Sequence, residues 1–61
     1  MGRWHGPDGL VVEVIMLDDH PMLRVCHRVG GRTYLHGYCA TVAELLEHGI
    51  DLADLVEEEP A

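Results

Sequence analysis

The stretch Leu10-Val11-Val12-Glu13-Val14-Ile15-Met16-Leu17 decides the fold. Seven of its eight residues are apolar, and Val11, Val12, Val14 and Ile15 are β-branched. Turn formers bound it on both sides: Gly6, Pro7 and Gly9 before, Asp18 and Asp19 after. A short apolar run so composed and so punctuated is a β-strand. Glu13 interrupts it, and it falls far short of the roughly 20 residues that a membrane-crossing helix needs.

Outward from this strand, Asp18 to Pro21 is expected to turn the chain. Met22 to Val29 then forms a second strand, with Leu23, Val25 and Val29 alternating against Arg24 and Arg28. Gly30-Gly31 is a two-residue hairpin signal, because a type I′ turn needs positive φ at both positions. Arg32 to Cys39 is the third strand. On the N-terminal side, Gly2, Gly6, Pro7 and Gly9 predict an irregular leader over residues 1–9. Beyond Cys39 the period changes. Thr41-Val42-Ala43-Glu44 matches a capping box, Val42, Leu45 and Leu46 supply an apolar stripe, and Gly49 is placed to end the helix. Asp51 is expected to cap a second short helix through Leu52, Leu55 and Val56, before an acidic tail over 57–61. The predicted class is α+β: a three-stranded antiparallel meander followed by one or two short C-terminal helices packed on one face, β-β-β-α-α, as a single domain over 10–56.

Alternation assigns side chains to two faces. If Leu17 pairs with Met22 and Val29 with Arg32, one face carries Leu10, Val12, Val14, Met16, Leu23, Val25, His27 and Val29, with Arg32, Tyr34, His36 and Tyr38. This face is assigned to the helix. The other carries Val11, Glu13, Ile15, Leu17, Met22, Arg24, Cys26 and Arg28, with Thr33, Leu35, Gly37 and Cys39. A half-solvated antiparallel sheet should be polar on its outer face, yet five of the first eight positions there are apolar. Apolar surface rimmed by charge marks an interaction site. The expected contact residues are Val11, Ile15, Leu17, Met22, Arg24, Arg28 and Leu35, unless the leader folds Trp4 back over them. The first strand is also an expected free edge, open to pairing with another strand.

The chain has 61 residues and a formal charge of −7. A domain this small buries only about 60% of its unfolded surface, so a multi-domain enzyme is excluded and a partner would complete the core. Its four cations are all Arg and it contains no Lys, Ser, Asn, Gln or Phe, a bias of GC-rich bacterial genomes. Residues 1–40 balance four Arg against four acids, while residues 41–61 hold seven acids and no Lys or Arg. That excess argues against non-specific nucleic-acid binding. The acids Glu44, Glu47, Asp51, Asp54 and Glu58 recur at spacings of three and four. On a continuous helix they form one stripe, either a solvated face or a mimic of phosphate charge directed at a nucleic-acid-binding protein.

No catalytic, cofactor or metal site is expected. No Ser exists for a triad, and Gly30-Gly31 joins strands rather than opening a helix, so no phosphate loop is present. The pairs Cys26-His27 and His36-x-x-Cys39 point to opposite faces of regular strands. Cys26 and Cys39 share a face in this register but stand more than ~13 Å apart, too far for one zinc ion. Both thiols are expected to be reduced and inert. The order of three strands and a helix is similar to that of the sheet-reading DNA-binding domains of integrases, though no motif carries their residues onto this chain. A DNA-reading alternative would use the row Arg32, Tyr34, His36 and Tyr38. The preferred expectation is a small cytoplasmic, non-catalytic interaction module, a homodimer or an accessory subunit, without a membrane segment or small-molecule substrate.

Overall fold

Val12 and Val25 face each other across two central strands and are almost wholly buried, at 0% and 1% exposure. The computed structural model describes residues 2–58, so Glu59 to Ala61 of the expected acidic tail lie outside the described residues. The strands are β1 (Arg3–His5), β2 (Leu10–Leu17), β3 (His20–Val29), β4 (Arg32–Cys39) and β5 (Val56–Glu57), with one α-helix, α1 (Val42–Glu47). They form one five-stranded antiparallel sheet in the order β4-β3-β2-β1-β5. This corrects the expected three-stranded meander with one or two helices.

The first correction concerns the leader. Arg3-Trp4-His5 pairs with Glu13, Val12 and Val11, so the expected free edge of β2 is covered over Val11 to Glu13, while Ile15 to Leu17 have no strand on that side among the described residues. The glycines flank this short strand and supply its turn. Pro7–Gly9 is a single 3₁₀ turn, with Asp8 and Gly9 at φ 59° and 80°. A Cβ on Gly9 would collide with the backbone carbonyl of Arg28, so that position combines left-handed backbone with close approach.

The second correction concerns the C-terminal segment. Asp51 does cap through its side chain, accepting from the Ala53 N–H at 2.9 Å. The capped segment is only a 3₁₀ turn over Leu52–Asp54, after which Val56 and Glu57 pair with β1. The chain therefore leaves the sheet at edge strand β4 and returns at the opposite edge as β5. In crossing, it lays α1 over one face.

Helix α1 is short, roughly 9 Å for six residues, and its ends are well satisfied. Thr41 Oγ1 accepts from the Glu44 N–H at 3.4 Å, and Glu44 Oε2 accepts from the Ala40 N–H at 3.1 Å. At the other end Gly49 takes φ 82°, the Gly49 N–H donates to Leu46 O, and the Ile50 N–H donates to Leu45 O. That pair of bonds is a Schellman motif, and its two apolar residues, Leu45 and Ile50, both enter the core. The core comprises Leu10, Val12, Val25, Cys39, Leu45 and Ile50, with Leu23 and Leu55 against it. The covered face is the one the alternation assigned to the helix.

Register differs from expectation in two places. The first turn is Asp18-Asp19 alone, at φ 50° and 65°, so Leu17 pairs with His20 rather than Met22. The slip is two residues, an even number, and the faces of β2 and β3 are unchanged. Pro21 is tolerated because β3 is paired to β4 only from Leu23 onward. The second difference is a bulge: Cys26 pairs with Leu35 but Val25 pairs with Gly37, leaving His36 as the extra residue. Beyond it the parity of β4 inverts. Cys39 turns to the core, at 1% exposure, and Tyr38 lies opposite Arg24 on the outer face. Cys26 and Cys39 thus occupy opposite faces.

Replacing Gly9 by Ala is expected to lower the unfolding free energy by about 2 kcal/mol or more, through the clash and the positive φ. A fall in the urea midpoint with an unchanged slope checks it.

Candidate interaction surface

The outer sheet face is built by alternate residues of β2 and β3, by Arg3 and His5 of β1, and by Thr33, Leu35 and Tyr38 of β4. Trp4, paired with Val12, points the other way. It borders a cleft of about 420 Å³ with Val42, Leu45, Leu52 and Leu55 on the helix side. The leader therefore widens the sheet and leaves its outer face bare.

An ion network crosses the centre of this face. Arg24 Nε donates to Glu13 Oε1 at 2.8 Å, and Nη2 reaches the same oxygen. Arg3 Nε lies 3.7 Å from Glu13 Oε2, and its Nη1 lies 3.6 Å from Glu58. Glu58 in turn stands 3.5 Å from His5 Nε2. The hydrogen bond to Glu13, and then its charge, hold the Arg24 pKa above the ordinary value. Solvent-exposed pairs of this kind contribute little to stability. Their consequence here is coverage: Val11 and Cys26 are buried, at 5% and 6% exposure, in a hollow lined by Arg3, Glu13, Arg24 and Arg28. Arginine stems can shield apolar surface while the guanidinium stays wet.

The seven expected contact residues therefore divide. Val11 is already covered, and Arg24 is engaged by Glu13. Ile15 and Met22 are half-buried, while Leu17, Leu35 and Arg28 are exposed, with Leu35 at 58%. The bulge adds Tyr38, which regular alternation placed on the other face. Leu17, Ile15, Met22 and Tyr38 mark one corner of the outer face, and Leu35 extends it along β4 to the level of Cys26. The sequence signal for the bulge that delivers Tyr38 is Gly37, a lone glycine inside the strand.

The same bulge splits the proposed nucleic-acid row. Tyr34 pairs with His27 and Arg32 with Val29 on the helix side, whereas Tyr38 pairs with Arg24 on the outer side. The acidic residues are likewise dispersed. Glu44 caps α1, Asp51 caps the 3₁₀ turn, Asp54 ends that turn, and Glu58 joins the outer ion network. Only Glu44 and Glu47 share a helix.

Two local environments remain. Burial pushes the Cys39 thiol up, with the charges of Glu44 and Glu47 acting in the same direction. At the end of the helix-covered face, the His27 and His36 rings meet edge-to-face at 5.3 Å, and His36 and His48 do so at 5.9 Å. Among the described residues, no three His, Cys, Asp or Glu side chains stand ready-arranged to hold an ion, and no helix is long and apolar enough to cross a membrane.

Because the folded state favours the neutral Cys39 thiol, its stabilisation is intact below the unfolded thiol pKa and fades as pH rises toward the higher folded value. The urea midpoint is accordingly expected to decline above about pH 9, and Cys39→Ala to flatten that decline.

Compared with known proteins, the chain matches no family model, no curated protein and no solved structure. The functional reading consequently rests on its surfaces.

Proposed function

We propose that the protein is a small non-catalytic interaction module of the cytoplasm that forms a homodimer through its outer sheet face. The observation that carries this reading is the apolar corner in which exposed Leu17, Tyr38 and Leu35 adjoin half-buried Ile15 and Met22, on a face that no other element covers among the described residues. The edges of the sheet point to the face as the docking surface. β1 leaves only the short stretch Ile15 to Leu17 of β2 open, the outer edge at β5 is two residues long, and the other edge strand, β4, carries the bulge at His36. Short and bulged edges resist strand addition.

A second copy is favoured by the distribution of charge. Asp18 and Asp19 sit at one end of β3, and Arg28 lies near the other on the outer face. These ends are about 30 Å apart along an extended strand. Two copies packed face to face about a twofold axis, with their β3 strands antiparallel, bring each acidic end against the other's basic end. A twofold interface must be self-complementary in this way, and complementary potentials fix its register. Burial of the corner also adds apolar area to a core that this chain length supplies sparingly.

Sedimentation velocity tests the reading. The wild type is expected to sediment as a dimer, with dissociation promoted by high salt. Ile15→Glu is expected to sediment as a folded monomer, since it places a charge in the desolvated corner and weakens association at least tenfold. A monomeric wild type across the accessible concentration range would overturn the proposal.

A further inference from the structure

Three histidines on three separate elements converge at one end of the helix-covered face. His27 comes from β3, His36 is the bulged residue of β4, and His48 is the C-cap of α1. Their rings form a continuous edge-to-face chain, at 5.3 and 5.9 Å. All three line a cleft of about 210 Å³ that also contains Asp8, Asp51 and Asp54. Among the described residues none of the three imidazoles has a hydrogen-bond or salt-bridge partner.

We propose that this histidine ladder binds a borderline divalent transition-metal ion, with Zn²⁺ as the occupant that fits the donors best. Imidazole nitrogen is a preferred donor for zinc. Two imidazoles on one tetrahedral ion, bound at ~2.1 Å, hold their ring centres about 5 Å apart. The separations of His36 from His27 and from His48 are close to that spacing, so His36 stands where it can share an ion with each neighbour, and side-chain rotation must bring His27 and His48 together. What the resting arrangement lacks is orientation: the rings pack against each other instead of aiming nitrogens at a common point. His36 and His48 are exposed and His27 only half-buried, so rotation about their side-chain bonds can supply it. The three carboxylates give the cleft negative charge, and such groups commonly orient ligating histidines through their free ring N–H.

Alternation already places His27 and His36 on the helix side, and His36 stays there as the unpaired residue of the bulge, where the Schellman-capped end of α1 presents His48. The site lies on the face opposite the proposed dimer contact, and its test is independent of that contact.

Titration of the intact protein with Zn²⁺, read by calorimetry, and with Co²⁺, read by visible absorption, tests the assignment. Saturable binding at one ion per chain is expected. At a hundredfold excess of free Zn²⁺ over the dissociation constant, the Tm should rise by about 10 °C or more. Affinity should fall at least tenfold between about pH 7.5 and about pH 5.5, because coordination requires neutral imidazole. His36→Ala and His48→Ala, at exposed positions, should retain the native circular dichroism spectrum and lose binding tenfold or more. His5→Ala and His20→Ala, outside the cleft, should bind as the wild type does. Unchanged affinity in folded His36→Ala and His48→Ala, or a Co²⁺ spectrum dominated by thiolate charge transfer from Cys26 or Cys39, would overturn the proposal. So would the absence of saturable binding at millimolar Zn²⁺.

Discussion

One crossing of the chain over one face of the sheet governs this molecule. Between edge strand β4 and the opposite edge at β5 lies a single passage, consisting of helix α1, a Schellman turn and a 3₁₀ turn. It buries Leu45 and Ile50 against Val12, Val25 and Cys39. No second passage exists among the described residues, so the outer face keeps whatever the strands place there. A sheet with apolar residues on both faces and a cover for one is physically incomplete. The asymmetry follows from connectivity, since four of the five strands are joined by short turns that add no cover.

The chain offsets part of that exposure from within. Arg24, Arg3 and Glu13 interlock across β3, β1 and β2, and with Arg28 they line the hollow over Val11 and Cys26. This network divides the outer face into a shielded centre and an apolar corner. The corner remains because the network's charged residues lie on β1, in the middle of β2 and from Arg24 to Arg28 on β3, while Ile15, Leu17 and Met22 lie toward the Asp18-Asp19 turn. Charge is therefore polarised along β3, acidic at one end and basic at the other. A surface so arranged complements an antiparallel copy of itself.

Much of the framework was legible in the sequence for identifiable reasons. Gly30-Gly31 has few backbone alternatives, and its register was correct up to Leu35. Thr41 and Glu44 announced the start of α1, and Gly49 its end, because capping is local chemistry. The covered face was legible because a two-residue slip at Asp18-Asp19 preserves parity. Three features were not legible. Gly-flanked Arg3-Trp4-His5 has no independent strand signal and is a strand only because β2 offers it an edge. The Asp51 cap was real, but local capping does not decide whether a turn propagates, and pairing of Val56 with β1 ended it. The bulge at His36 is marked only by Gly37, a lone glycine inside the strand that the face assignment treated as regular. Its consequences were large: it exchanged the faces of Tyr38 and Cys39. Of the candidate site residues after Leu35, Tyr38 was therefore misplaced while His36 kept its expected face.

The central claim, that the bare outer face associates with itself, is tested most directly by a concentration series of amide and methyl NMR spectra of the wild-type protein. Self-association through this face predicts shifts that move with concentration at Ile15, Leu17, Met22, Leu35 and Tyr38, while Leu46 and Leu52 on the helix side stay fixed. Shifts confined to the helix side, or spectra that do not change with concentration in a protein of monomer size, would contradict it.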